Sequence, residues 1–128
     1  MKVLDNLRYT KNHEWVLLED DSAIVGITDY AQSELGDIVY VEIDLLGQSL
    51  GVGDVFGSVE AVKTVSDLFM PISGKVVSLN EKLENNPELV NEDPYGDGWI
   101  IKVELNGKLN TNDKLLSSAE YKELIGLS

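Results

Sequence analysis

Apolar and polar residues alternate with a short period along most of this chain, in runs too brief for long helices. His13–Leu18 and Ser22–Ile27 are β-prone runs separated by Glu19-Asp20-Asp21, a pattern that predicts a hairpin. Asp37–Ile43 alternates acidic and apolar side chains at one end, as a half-buried strand does. Val55–Val59, Gly74–Leu79 and Trp99–Leu105 predict further strands. Gly47, Gly51, Gly53, Gly57, Gly74, Gly96, Gly98 and Gly107 punctuate them. Many short strands joined by Gly-rich turns point to a sandwich or a barrel.

Three short helical pieces interrupt the strands. Asp29 and Gln32 read as a capping box, with Gly36 closing a helix over Tyr30–Leu35. Asn86-Pro87 ahead of Glu88-Leu89-Val90 reads as an N-cap with proline at the first helical position, giving a single turn. Ser117 and Glu120 form a second capping box, and Gly126 ends a helix over Ser118–Ile125. A weak internal echo relates Gly53–Glu60 to Pro71–Asn80, each a turn followed by a β run. It suggests a quasi-symmetric pair of β units with Lys63 at their junction.

Composition narrows the chemistry. The chain has 128 residues, which is one ordinary domain, and 43% of them are hydrophobic. With no cysteine there are no disulfides, thiol nucleophiles or Cys-based metal sites, and one histidine leaves no multi-His site. Ten Lys+Arg against 23 Asp+Glu give a net charge of −13, which argues against nucleic acid and anionic membranes as partners. The Met1–Asn6 start lacks a secretory apolar stretch and the Arg- and Ser-rich character of a transit peptide. No apolar run approaches the ~20 residues that span a bilayer. The expected location is cytoplasmic, or mitochondrial if a transit peptide has been removed.

Charge distribution singles out one residue. Between Lys11 and Lys75 the sole basic side chain is Lys63, set among twelve carboxylates over residues 12–74. It falls in Val59–Asp67, a segment without Gly, Pro or Asn, the usual makers of a two-residue hairpin turn. If this segment reverses, small and β-branched residues hold it, and a long amine points from the tip. Lysine amines, with an ordinary pKa of ~10.4, are almost wholly protonated at neutral pH and are poor unaided nucleophiles. Acylation by a separate enzyme suits such a residue better than Schiff-base catalysis.

The stretch Gly57-Ser58-Val59-Glu60-Ala61-Val62-Lys63-Thr64-Val65-Ser66-Asp67, followed by Pro71-Ile72-Ser73-Gly74, resembles the lipoyl-lysine hairpin of the glycine cleavage H-protein family. Tyr9–Val16, Gly26–Gln32 with Leu35–Val39, and Asn86–Asn91 with Asp93–Trp99 are similar to other motifs of that family, in the same order. Thr64 and Val65 stand where the family more often has small residues, which bears on hairpin packing. The resemblance implies a mainly β fold, a lipoyl/biotinyl-type barrel-sandwich hybrid with short flanking helices including a C-terminal helix. It implies a single lipoyl-carrier domain over residues 1–128, with the lipoyl-bearing hairpin at about 57–74 and the C-terminal helix at about 118–125.

The same resemblance implies a carrier and not an enzyme. Lipoate would be joined to Lys63 as an amide. It would carry an aminomethyl group from glycine decarboxylase (P protein) to aminomethyltransferase (T protein), and present dihydrolipoate to dihydrolipoyl dehydrogenase (L protein). The cofactor does the chemistry and the protein orients it. A lipoate ligase or lipoyl transferase would attach the group, and the protein is expected to act as a monomer. Glu14 and Asp67 are implied contacts for the folded-back arm, where carboxylates would hold the cationic aminomethyl nitrogen. Glu60, three residues before Lys63, is either a recognition mark for the attaching enzyme or a solvated hairpin acid. His13 beside Trp15 reads as structural, Trp15 and Trp99 as core or cleft-wall aromatics, and Asp93–Gly98 as a turn without EF-hand spacing.

Alternatives differ at identifiable positions. A biotinyl carrier usually has Met on both sides of the lysine, where this chain has Val62 and Thr64. A 2-oxoacid dehydrogenase lipoyl domain usually has Asp before it, where Val62 stands. An H-like lipoyl donor in lipoate relay is not separable from a glycine cleavage shuttle by these residues.

Overall fold

The computed structural model describes residues 2–105 and 115–127. In chain order the elements are β1 (Arg8–Tyr9), β2 (Glu14–Leu18), β3 (Ser22–Ile27), α1 (Asp29–Leu35), β4 (Ile38–Glu42), β5 (Ser49–Leu50) and β6 (Val55–Ala61). They continue as β7 (Val65–Phe69), β8 (Gly74–Leu79), α2 (Lys82–Asn85), α3 (Leu89–Glu92), β9 (Ile101–Leu105) and α4 (Ser118–Leu124). Every strand pairing is antiparallel. One sheet runs β1-β2-β3-β9-β8-β5 and the other β4-β6-β7. Gly107 lies outside the described residues.

The expected barrel-sandwich hybrid is therefore corrected: the strands form two separate sheets, and neither closes into a barrel. The two echoing β units do not share a sheet. β6 pairs with β4 and β7, whereas β8 pairs with β9 and β5. The changeover falls at Met70–Ser73, where Pro71 has no N–H to continue a ladder. Met70 still donates to the Asp54 carbonyl at 2.8 Å, after which the chain enters the other sheet at Gly74.

The six-stranded sheet carries apolar side chains on both faces where β2 and β3 cross it. Val16, Ala23, Val25 and Ile27 join the main core with Phe56, Val59 and Leu68 of the other sheet and with Met70 just after it. Trp15, with the partly buried Leu17 and Ile24, faces a second cluster built on Leu7, Tyr9 and Tyr121. Burial on two sides explains why these strands read as nearly continuous apolar runs.

Helix ends differ in detail from the sequence reading. Thr28, not Asp29, caps α1, its hydroxyl accepting from Ala31 N at 3.1 Å. The Asp29 carboxylate instead accepts from the Gln32 side chain at 2.7 Å and from Lys2 N at 2.8 Å. The turn after Pro87 is α3, capped by Glu88 with no side-chain bond, rather than by Asn86. At α4 the Ser117–Glu120 capping box forms with both of its bonds. No described helix is long and apolar enough to cross a membrane.

Candidate functional site

The segment around Lys63 reverses as a two-residue loop, Val62-Lys63, closed by Ala61 N donating to Thr64 O at 2.7 Å. Among the described residues His13 is the only non-glycine with positive φ, so this turn is neither of the mirror-image types that favour Asn-Gly. Its arms are β6 and β7, in the register Glu60↔Val65, Val59↔Ser66 and Ser58↔Asp67. Val59, Ala61 and Leu68 point inward and are buried. The outward face carries Tyr40, Glu60 and Val65 in one cross-strand row, and Glu42, Ser58 and Asp67 in the next. Val62 at the tip is 76% exposed.

Lys63 is exposed at this tip. Its stem lies back over the end of α1: a Cβ placed on Gly36 would stand 3.4 Å from Lys63 Cε and 3.8 Å from Nζ. Gly36 has φ +81 and ψ −157, a conformation that suits only glycine. The neighbouring Asp37 carbonyl accepts from Val62 N at 3.1 Å and ties the tip to the body. Among the described residues the one ion pair is Lys82–Asp97, at 3.6 Å, and it leaves Lys63 without a bound carboxylate.

The structure brings Glu60 and Asp67 onto one face of the hairpin that carries Lys63, and places Glu14 in the other sheet. Glu14 belongs to β2 in the other sheet and is only 1% exposed. Thr10 Oγ1 donates to its Oε1 at 2.6 Å, and Phe69 N donates to its Oε2 at 3.4 Å. Burial pushes its carboxyl up to about 7, against the opposing effect of those two bonds. Glu14 borders a depression of about 240 Å³ together with Thr10, Asn12, Gly53 and Pro71. Asp67 borders a different one of about 280 Å³, with Asp44, Leu45, Val55 and Ser58. A third, of about 260 Å³, lies between His13, Tyr30, Glu34, Leu35 and Ser66, alongside the lysine-bearing hairpin.

His13 is held rather than free. Its Nδ1 lies 2.9 Å from the Tyr121 hydroxyl, which in turn lies 2.6 Å from Thr28 Oγ1. Because Thr28 Oγ1 already accepts from Ala31, its hydrogen can pass to Tyr121 and the Tyr121 hydrogen to an unprotonated Nδ1. Burial lowers the His13 pKa, which agrees with that neutral form, while Glu34 acts the other way. Trp15 is a core residue whose Nε1 donates to Pro94 O at 2.9 Å, and Trp99 is partly buried in the same cluster. Asp93–Gly98 forms a turn in which Asp93 accepts from Asp97 N at 2.9 Å. No group of three or more metal-ligating side chains occurs among the described residues.

Asn91 was not singled out by its side-chain chemistry in the sequence. Yet its amide bonds Ile38 N, Gln32 and the Gly36 carbonyl, around the corner beneath Lys63. The sequence signal was its place in Asn86–Asn91, one residue after the buried Val90.

One exposed amine on an anchored hairpin of a small β protein is the arrangement that a carrier of a covalently attached cofactor needs. Comparison with known proteins specifies which. The family model for the glycine cleavage H-protein matches residues 7–126. The chain is 54% identical over 127 residues to a glycine cleavage system H protein of Coprothermobacter proteolyticus, covering 98% of this chain and 99% of that one. It is 54% identical over 126 residues to the one of Staphylococcus haemolyticus, with the same coverage. A crystal structure of the H protein from Mycobacterium marinum superposes with a TM-score of 0.89 at 35% identity, covering 98% of this chain and 100% of that one. The chain belongs to the glycine cleavage H-protein family. Its function is that of the lipoylated shuttle of glycine cleavage, a carrier and not an enzyme, which sets aside the biotinyl alternative.

Proposed function

We propose that Lys63 is the residue that carries lipoate, joined as an amide to Nζ, within one carrier domain spanning residues 1–128. The supporting observation is that Lys63 is exposed at the hairpin tip and is the only basic residue between Lys11 and Lys75. The residues present fit such a group, because the amine is open to an attaching enzyme and the chain has no cysteine sulfur of its own. When bound, lipoate supplies the disulfide–dithiol chemistry of aminomethyl transfer. The chain's own residues hold, orient and display it.

Partners and recognition follow from that role. The shuttle visits glycine decarboxylase, aminomethyltransferase and dihydrolipoyl dehydrogenase as a cytoplasmic monomer. A lipoate ligase or lipoyl transferase reads the hairpin through Glu60, which stands between Tyr40 and Val65 on the outward face. Glu14 and Asp67 are arm contacts, and they border two different depressions. Hydrolysis of the loaded protein should accelerate in Glu14→Gln plus Asp67→Ala; an unchanged rate refutes these contacts.

Intact mass of the protein from its native host tests the central claim. A lipoyl-sized increment abolished by Lys63→Ala supports it, and a biotin-sized increment or none overturns it. Reconstitution with glycine decarboxylase then distinguishes glycine cleavage from donation of lipoate to other complexes.

A further inference from the structure

We propose that Asn91 is a positioning residue for the modification and display of Lys63, acting through the corner that joins α1 to β4. This inference rests on the reading of Lys63 as the lipoylated residue.

The hairpin tip has little to fix it by itself. Its turn is closed by a single backbone bond, and Val62 and Val65, which flank Lys63-Thr64, are 76% and 62% exposed. What locates the tip against the body is the Gly36–Asp37 corner. Asp37 O receives Val62 N, and Gly36 lies under the Lys63 stem. The tip is therefore only as well placed as that corner.

Asn91 grips the corner from both ends. Its Nδ2 donates to Gly36 O at 2.8 Å, on the α1 side, and its Oδ1 accepts from Ile38 N at 2.8 Å, on the β4 side. A further bond from Nδ2 to Gln32 Oε1 at 3.0 Å fixes which way round the amide sits, because Gln32 Nε2 is already committed to Asp29. Reversing the Asn91 amide would set an NH₂ against Ile38 N–H and an oxygen against two other oxygens. Asn91 is also firmly seated, since its neighbour Val90 is fully buried and Leu89 packs on the main core. A side chain 28 positions along the chain thus connects the core to the lysine tip through two backbone groups.

The chemistry requires such a link. An attaching enzyme must meet the amine in one geometry, and a tip that visits it only part of the time lowers apparent affinity in proportion to that fraction. The turnover of the productively bound complex is left unaltered. Loosening the corner should therefore raise KM for lipoylation while sparing kcat.

The test uses the full-length unmodified protein as Asn91→Ala and, as a milder second variant, Gln32→Ala. Amide exchange at Val62 and Ile38 is compared with Ser22–Ile27 of β3, and lipoylation by a lipoate ligase is followed with the protein as varied substrate. Asn91→Ala should accelerate Val62 and Ile38 exchange at least tenfold with β3 unchanged, and raise KM several-fold with kcat within twofold. Gln32→Ala should shift the same quantities in the same direction by less. Val62 and Ile38 exchange within twofold of wild type in both variants overturns the proposal. So does equal acceleration in β3, which would make Asn91 a support of the whole fold, or an unchanged KM. Failure of the wild-type protein to accept lipoate at Lys63 refutes the carrier reading instead, and the exchange comparison still decides whether Asn91 holds the tip.

Discussion

The Thr10 hydroxyl donates to Glu14 Oε1 at 2.6 Å inside the protein, and the same hydroxyl oxygen accepts from Glu14 N at 3.2 Å. This reciprocal pair, with Phe69 N approaching the other carboxylate oxygen, bridges β2 of the larger sheet and β7 of the smaller. The carboxylate is thus part of the seam between the sheets as well as the floor of a depression. A buried acid whose two hydrogen bonds offset burial only in part keeps its proton to about pH 7.

A defined pH dependence of stability follows. The folded state holds this proton up to about pH 7, whereas the unfolded chain releases it around 4.5. The folded state therefore binds more protons in that window, and the Glu14 contribution to stability is full below pH 4.5 and declines until about pH 7. At about 1.4 kcal/mol per pKa step, the window is worth on the order of 3 kcal/mol. Glu14→Gln keeps an acceptor for Thr10 and removes the titration. Urea midpoints at pH 5 and pH 8 should differ less in this variant than in the wild type; an identical difference would show that Glu14 does not titrate in that window.

His13 acts with the opposite sign. Its folded pKa is depressed by burial, so its contribution is present above 6.5 and is lost as pH falls toward the folded value. Glu34, beside it in the same depression, partly offsets the burial, and the Tyr30 and Tyr121 rings pack against it. Once Glu14→Gln has removed the opposing titration, stability should rise from pH 5 to pH 7. NMR titration of the single histidine should give a pKa below 6.5.

Tyr121→Phe should destabilise the protein by about 1–3 kcal/mol, because the fully buried Thr28 hydroxyl and the His13 Nδ1 both lose their shared partner. Its ring would still stack on Tyr9 at 4.6 Å, so the loss isolates the hydroxyl. Chemical denaturation gives the magnitude, and amide exchange in α4 should locate the loosening at the C-terminal helix.

Much of this architecture was legible locally. Ser22–Ile27 and Gly74–Leu79 occupy the predicted ranges, and the lysine hairpin forms where a lone amine lay between two β runs. What escaped depends on distant partners. β1 and β5 have two residues each, too few to show a period, and exist because β2 and β8 offer them edges. The larger sheet is joined up by β9, which inserts between β3 and β8 and pairs with β3 across more than seventy residues. Glu14 read as an arm contact, and nothing in its neighbourhood of sequence reveals that the Phe69 backbone will meet its carboxylate. The cap of α1 missed by one position, since Thr28 and Asp29 are both good capping residues and only the backbone direction chooses between them.

Gly26 is required by the indole opposite it. A Cβ there would stand 2.6 Å from Trp15 Nε1, and the two residues are register partners across β2 and β3. Trp15 cannot simply yield, because it is 2% exposed and its Nε1 is bonded to Pro94 O. Gly26→Ala should cost about 1–3 kcal/mol by overpacking, read as a lower thermal midpoint together with a shifted tryptophan emission.

The outward face of the smaller sheet should act through charge. Glu42, Glu60 and Asp67 project from it around Tyr40 and Val65, on a protein whose net charge is −13. Exposed carboxylates of this kind add little to stability and more to encounter with a positively charged partner. Glu60→Gln should therefore leave the unfolding free energy from urea denaturation within about 0.5 kcal/mol of wild type. It should lower kcat/KM for lipoylation at low ionic strength, with the gap closing as salt shortens the screening length to about 8 Å near physiological strength. A deficit that persists undiminished at high salt would instead mean that Glu60 makes a close contact in the docked complex. Comparing the two salt conditions in one titration series separates steering from contact at this position.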